Sequence, residues 1–519
     1  MQVRFVRSIL VSFCSSALFA AACTGVAQSA AQGVGIFEGQ SDVGAVSPPG
    51  TATYDAHSGI YTIDAAGANM WSTADAFHFV WKKISGDTAL TADMEFPIST
   101  GNPNPHRKAV LVFRQNLDAN GVYADAAQHG SGLTALQYRR EPGATTQDIE
   151  LNIDLPKRIR LEKRGDTITM FLSNKGEPLH QVGTSIELHF TDPFYAGIGV
   201  CSHNKDVVER ATFANVKLEA ISPDSDAARA AVYSTLQTIG IEEDARRAIV
   251  VATGPGRMEA PNWSRDGKML IFNRDGQLWS IPAEGGTRTM IDTGAATKCT
   301  GSHGLSPDGK WLAISCSTPG KPETRVYIVP SGGGEPRLIT QNPSSYFHSW
   351  SPDGKTIAFT RPNHEGGGNI LSIPVEGGEE KPLTTGRGMS DDPDYSADGK
   401  WIYFNSDRAG GLMQIWRMRP DASEPQQVTF DDFNNWTPHP SPDGQSIVLL
   451  SYPKTVTGHP TDKDVAFRIL NVSDGKLRVL VNLVGGAGSD NVPNWAPDGR
   501  HLAFVSFQTL RGNGVEAEK

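Results

Sequence analysis

Apolar positions in the second half of the chain fall into short runs rather than helical stripes. Trp311-Leu312-Ala313-Ile314 and Thr356-Ile357-Ala358-Phe359 each follow a Pro-Asp-Gly triplet. Pro presets φ, Asp bonds its own backbone, and Gly accepts positive φ, so each triplet predicts a tight turn between two strands. A third strand follows, as in Gln277-Leu278-Trp279-Ser280-Ile281 and Gln414-Ile415-Trp416-Arg417-Met418. A Gly-rich turn closes it, as in Glu284-Gly285-Gly286 and Glu376-Gly377-Gly378, and a last strand ends near Leu338-Ile339-Thr340 or Pro382-Leu383-Thr384. Runs this short, bounded by turn residues, specify strands.

The pattern repeats. The anchors Asp266, Asp308, Asp353, Asp398, Asp443 and Asp498 stand 42, 45, 45, 45 and 55 residues apart. Four strands at this period make one blade of a β-propeller. A blade cannot bury both faces alone, so the set must close on itself. The sixth repeat stops after Leu502-Ala503-Phe504-Val505, while Ala231-Val232-Tyr233-Ser234 and Ala248-Ile249-Val250-Val251 precede the first. These segments predict a blade shared between the two ends of the propeller.

Residues 33–220 form a different module, with strands alternating with turns and no sustained helical period. Aromatic residues stand at Tyr54, Tyr61, Trp71, Phe77, Phe79 and Trp81, and Arg160 to Phe171 reads as a hairpin turning at Gly165-Asp166. Further strands are read at Ala196 to His203 and Ala211 to Val216. The expected organisation is an export segment (1–31), a β-sandwich (33–220), a hinge and closing strand (221–244), a six-bladed propeller (245–510) and a tail (511–519). The hinge contains Pro223-Asp224-Ser225-Asp226, a helix-start signal. The fold class is all-β.

On these motifs, residues 225 to 510 resemble the TolB-like six-bladed propeller, a family of WD-type repeats. That resemblance implies a periplasmic protein that binds partners. The α/β domain that precedes the propeller in TolB is replaced here by the first module. That module resembles a concanavalin-like jelly roll of the laminin G kind, which implies carbohydrate binding. Aromatic residues at such positions otherwise serve as sandwich core.

Arg4 and Arg7 precede an apolar stretch from Ile9 to Ala22, and small residues follow to Ala31. This is the pattern of a cleaved export signal rather than a membrane span. It predicts a periplasmic, extracellular or cell-surface location, with no transmembrane segment after removal of the signal. Ala20-Ala21-Ala22-Cys23 offers an alternative lipid-anchored start at Cys23. Lys and Arg total 47 against 57 Asp and Glu, a net charge of −10, which excludes nucleic acid as the natural partner. Five cysteines fit no zinc spacing. Cys299 and Cys316 flank the turn at Pro307-Asp308-Gly309 nearly opposite one another, so they form either a bridge or two small buried residues.

Each inner strand ends at its Asp-Gly turn, so the residues five to eight places earlier converge at the opposite mouth of the channel. They are Glu259; Gly301 and His303; Tyr346 and His348; Asp391 and Asp392; Asn435 and Trp436; Asp490 and Asn491. His439 lies one place further along. Trp263, Trp350, Tyr395 and Trp495, three before each Asp, read as packing residues. The segment His459-Pro460-Thr461-Asp462-Lys463-Asp464 sits in the long insertion of the fifth repeat and is expected to fold over the same mouth. Three readings stay open. His303, His348 and His439 could bind a divalent metal completed by Asp391 or Glu259; the His-rich metal site of oligogalacturonate lyase, a propeller of similar repeats, is the analogy. Glu259 and Asp391, with His348, could act as general acid and base on a glycan, as in a polysaccharide lyase or glycoside hydrolase. Otherwise the mouth, including His303, Asp392, Asn435, Trp436, His439, His459, Lys463, Asp490 and Asn491, binds a glycan or envelope protein without catalysis.

Overall fold

A computed structural model describes residues 33–97, 102–174, 176–221, 229–242, 246–363, 367–386 and 388–511. The export segment with Cys14 and Cys23, the helix-start signal at 223–226 and the tail beyond 511 lie outside the described residues. Every regular element described is a strand.

Five four-stranded antiparallel sheets follow one another along the second half. The first is Met258–Trp263, Met269–Arg274, Gln277–Pro282 and Thr289–Met290; the others begin with the inner strands His303–Leu305, Tyr346–Trp350, Ser390–Tyr395 and Phe433–Pro440. At the repeated turn Ser264 Oγ donates to Asp266 Oδ1 (2.6 Å), which also accepts from the Lys268 amide (3.1 Å). The same pair of bonds recurs at Asp308, Asp353, Asp398 and Asp443. The serine is therefore as much a part of the turn as Pro-Asp-Gly. At the sixth turn Ala496 replaces it, and His501 Nδ1 pairs with Asp498 Oδ2 instead (2.6 Å).

The tryptophans do more than pack. Trp263 Nε1 donates to Asn494 O (3.1 Å), Trp350 Nε1 to Gly304 O (2.9 Å) and Trp495 Nε1 to His439 O (2.8 Å). Each bond ties one inner strand to its neighbour.

Six separate blades were expected, and five separate four-stranded sheets are found. The strands anticipated for the sixth are present but belong to a larger sheet. His501–Arg511 pairs antiparallel with Arg229–Gly240, which pairs with Arg247–Pro255. A single bridge joins Trp495 to Leu502 on the inner side. Arg247–Pro255 then pairs in parallel with Gln147–Leu151 of the first module, through Glu150–Arg247 and Leu151–Ala248. The result is one sheet of ten strands shared by both halves of the chain. Arg229–Gly240 lies within the segment read as a hinge and closing strand.

In the first module seven strands of that sheet face a second sheet built on Thr51–Asp55, Ile60–Gly67, Asn204–Ala220, Thr88–Glu95, Arg158–Arg164 and Thr167–Ser173. Tyr61, Phe113, Phe194 and Phe213 are fully buried between them, and Phe77 and Phe79 on the outer side of the first sheet. Cys299 and Cys316 form a disulfide.

Candidate functional site

The inner strands are not regular where they reach the mouth. Bulges interrupt pairing between Glu259 and Asn262, Phe347 and Ser349, Asp391 and Asp394, and Trp436 and His439. Ala260, Asp392 and Thr437 adopt left-handed φ of 54°, 50° and 49°. In a plain strand successive side chains point to opposite faces. The bulge at Asp392 breaks that alternation, and the neighbouring carboxylates Asp391 and Asp392 both reach one imidazole. His348 Nε2 lies 3.3 Å from Asp391 Oδ1, and His348 Nδ1 lies 3.2 Å from Asp392 Oδ1. His348 and Asp392 are buried, while Asp391 keeps 19% of its side chain open to the mouth.

Below this pair is a second one. His439 Nδ1 meets Asp394 Oδ2 at 3.0 Å, and His439 Nε2 donates to Asp490 O at 2.8 Å. Thr437 Oγ1 donates to the Asp490 carboxylate at 3.2 and 3.1 Å. Four aspartates (391, 392, 394 and 490) thus crowd one channel. Among the described residues no lysine or arginine forms an ion pair with any of them.

The electrostatics follow. Burial raises Asp392 well above the ordinary carboxylate range, and the charges of Asp391 and Asp490 add to it. Burial pushes Asp490 up to about 7, with His439 and Thr437 opposing. Burial also acts to raise Asp391, but the close approach of His348 outweighs it and the net direction is down. For His439 burial acts downward, and the bond to Asp394 prevails, so the ring is held protonated more firmly than an ordinary histidine.

The insertion of the fifth blade folds over this mouth. His459 stacks on Trp436 (centroids 4.7 Å apart, planes 15° apart) and meets Tyr452 edge-on at 5.8 Å. Tyr452 Oη donates to Pro460 O at 2.7 Å and pins the loop. Burial pushes His459 down to about 4, and Asp391 and His348 lie close enough for their charges to act on it.

Other candidates are placed elsewhere. His303 is sealed between the first two blades, with Nε2 3.4 Å from Ile271 O, and burial pushes it down to about 4. Asn435 belongs to a buried network with Arg468, Ser451 and Asp431. Asn491 Oδ1 accepts from Gly488 N at 2.7 Å, and Lys463 is exposed at the start of strand Lys463–Asn471. Glu259 is raised by burial and answers to Arg257, Asp275 and Asp462 rather than to Asp391. Arg257 in turn pairs with Asp462 of the insertion. The histidine trio His303, His348 and His439 does not meet around one point, because His303 and His439 are each engaged on a different blade wall. The group that meets is His348, Asp391 and Asp392. Arg468 and the bulge at Asp392 were not anticipated. Arg468 had no signal in the repeat, whereas the adjacent Asp pair was a visible one.

A family model described as the TolB beta propeller domain matches residues 347–513. An uncharacterized protein of Agrobacterium fabrum is 44% identical over 264 residues, 50% of this chain and 89% of that protein. A solved structure from Agrobacterium tumefaciens, provisionally named TolB, is 41% identical, with 54% of this chain and all (100%) of that one covered and a TM-score of 0.51. The crystal structure of TolB from Acinetobacter baumannii is 16% identical, covering 58% of this chain and 79% of that one, with a TM-score of 0.37. With its repeats, its turn chemistry and this relative matched over nearly its whole length, the chain belongs to the TolB-like β-propeller family.

Proposed function

We propose that this is an exported envelope protein whose propeller mouth binds a glycan or an envelope protein without turning it over. In this reading the strands 229–240, 247–255 and 501–511, with the bridge at Trp495, complete a sixth blade. The two-sheet unit is a concanavalin-like jelly roll that contributes a second, glycan-facing surface. The export signal at 1–31 delivers the chain to the periplasm or cell surface, and the TolB-like family favours a partner there.

One observation carries the choice of binding over catalysis. The carboxylates proposed as an acid–base pair, Glu259 and Asp391, answer to different partners: Arg257 and Asp462 for the first, His348 for the second. A glycoside hydrolase or lyase needs two groups converging on one bound atom. The interlocked His–Asp pairs instead form a fixed polar rim, the usual character of a preformed ligand site.

The test is a glycan panel and an envelope extract incubated with the mature chain. Thermal stabilisation by one ligand without new products is expected, and Asp391→Asn should weaken that binding about 10-fold, the worth of one charged hydrogen bond. Products detected by mass would overturn the binding reading in favour of a carbohydrate-active enzyme.

A further inference from the structure

Buried polar atoms are nearly always paired, so those left over ask for an explanation. At the mouth three lone-pair atoms are buried without a hydrogen-bond partner: His348 Nε2, Asp392 Oδ2 and His459 Nε2. The 3.3 Å approach of His348 Nε2 to Asp391 is an ion-pair distance without hydrogen-bond direction. Two of these atoms belong to one cluster: His348, Asp391 and Asp392 each offer a ligand atom within 4.8 Å of the others. His459 stands outside that group but near enough to feel the charges of His348 and Asp391.

Charge points the same way. His439 is already matched to Asp394 and acts on Asp490, and among the described residues no lysine or arginine pairs with Asp391 or Asp392, which share the one imidazole of His348. Buried carboxylates in such excess require either bound protons or a metal ion. The bulge holds Asp392 in its left-handed turn, as a ligand must be held, and Trp436 and Tyr452 fix the neighbouring His459 from two sides.

We propose that His348, Asp391 and Asp392 together bind one first-row divalent cation, Zn²⁺ or Mn²⁺, at the propeller mouth. An imidazole beside two carboxylates favours such ions over Ca²⁺ and Mg²⁺, which take oxygen donors. Asp391, the partly open member, faces outward, so exchangeable positions on the ion point to the mouth. The site does not depend on the binding function proposed above, because the ion is retained whether or not a glycan or partner is present.

The mature full chain, stripped with a chelator and desalted, is titrated calorimetrically with ZnCl₂, MnCl₂ or CaCl₂, and the retained metal is counted by mass spectrometry. One equivalent of Zn²⁺ or Mn²⁺ is expected, with a rise in Tm. His348→Ala, Asp391→Asn and Asp392→Asn should each weaken binding by at least about 10-fold, the scale of a lost supporting contact or more. His189→Ala, at a histidine whose side chain is 72% exposed, should bind like the native chain and controls for adventitious surface binding. Should Asp392→Asn fail to fold, Asp391→Asn decides, because that side chain is the partly exposed member, at 19%. No stoichiometric ion, binding indifferent to Asp391→Asn, or Ca²⁺ bound in preference to both test ions would each overturn the proposal.

Discussion

At the scale of single residues, the channel aspartates differ in what their protons do. The Asp490 carboxyl sits at about 7, first because of burial, against 3.8 for the ordinary group. The folded state therefore holds a proton that the unfolded chain has released between those values, and stability falls as pH rises through that window. His439 has the same sign. Its folded pKa is raised, so its contribution is complete below 6.5 and is lost as pH rises through the folded value. Asp391 and the turn aspartates, such as Asp398 at about 2, are lowered, and they matter only on the acid side of 3.8. His303 and His459, at about 4, oppose Asp490 below 6.5, so the native pH profile is a sum. The difference between Asp490→Asn and the native chain isolates the carboxyl. Relative to native, the variant should gain about 2–3 kcal/mol between pH 5 and pH 8. Urea denaturation at both values measures it, and a difference that does not change with pH would contradict the assignment.

At the scale of elements, the blades are stitched by tryptophans whose acceptors lie far off in sequence. The separations are 231, 46 and 56 residues for Trp263, Trp350 and Trp495. Trp350→Phe keeps most of the packing volume and strands the Gly304 carbonyl, so it should cost about 1–3 kcal/mol in chemical denaturation; no loss would return this tryptophan to simple packing. The Cys299–Cys316 bridge closes a 17-residue separation in the second blade. Replacing both cysteines with Ala should remove about 3 kcal/mol, a loss that reductant should reproduce in the native chain. These devices mark the boundary of what the sequence could convey. The turn triplets and their spacing are local, so strands and repeats were readable at once. Counting back along each inner strand assigned His348, Asp391 and Asp392 to one mouth, but said nothing of their contacts. Strict alternation would send the two carboxylates to opposite faces, and only the bulge at Asp392 lets both reach His348. The engagement of His303 by Ile271 O was equally hidden, because a neighbouring blade supplies the acceptor. The serine of the first five turns stood in plain view, but its bond to Asp is a matter of rotamer and cannot be counted from spacing.

At the scale of the whole molecule, the two halves are joined as a core is joined rather than as beads on a linker. Their strands share one sheet through Glu150–Arg247 and Leu151–Ala248. Asn152 exchanges two bonds with Val250, at 2.9 and 3.1 Å. Gly183 N donates to Gln237 Oε1 at 3.0 Å, Gln181 Nε2 to Asn482 O at 2.7 Å, and Asn482 N to Ser185 Oγ at 3.0 Å. Ile149, Leu151 and Val182 of the first module are buried in the same apolar cluster as Ile239, Ala248 and Leu480 of the second. Domains tied only by a small polar interface move and melt independently. A continuous sheet backed by shared apolar burial makes the unfolding of one half expose the core of the other, which couples them. Scanning calorimetry of the mature chain should therefore show one transition, with calorimetric and van't Hoff enthalpies in agreement. Gln237→Ala, which leaves the buried Gly183 amide unpaired at the junction, should lower that transition as a unit by about 1–3 kcal/mol of stability. Were the halves independent, the scan would split in two and the substitution would move only the propeller's peak. On the proposal that strands 229–240 and 247–255 complete a sixth blade, they also close the propeller, so a ligand gripped at the mouth and the two-sheet unit would share one rigid frame.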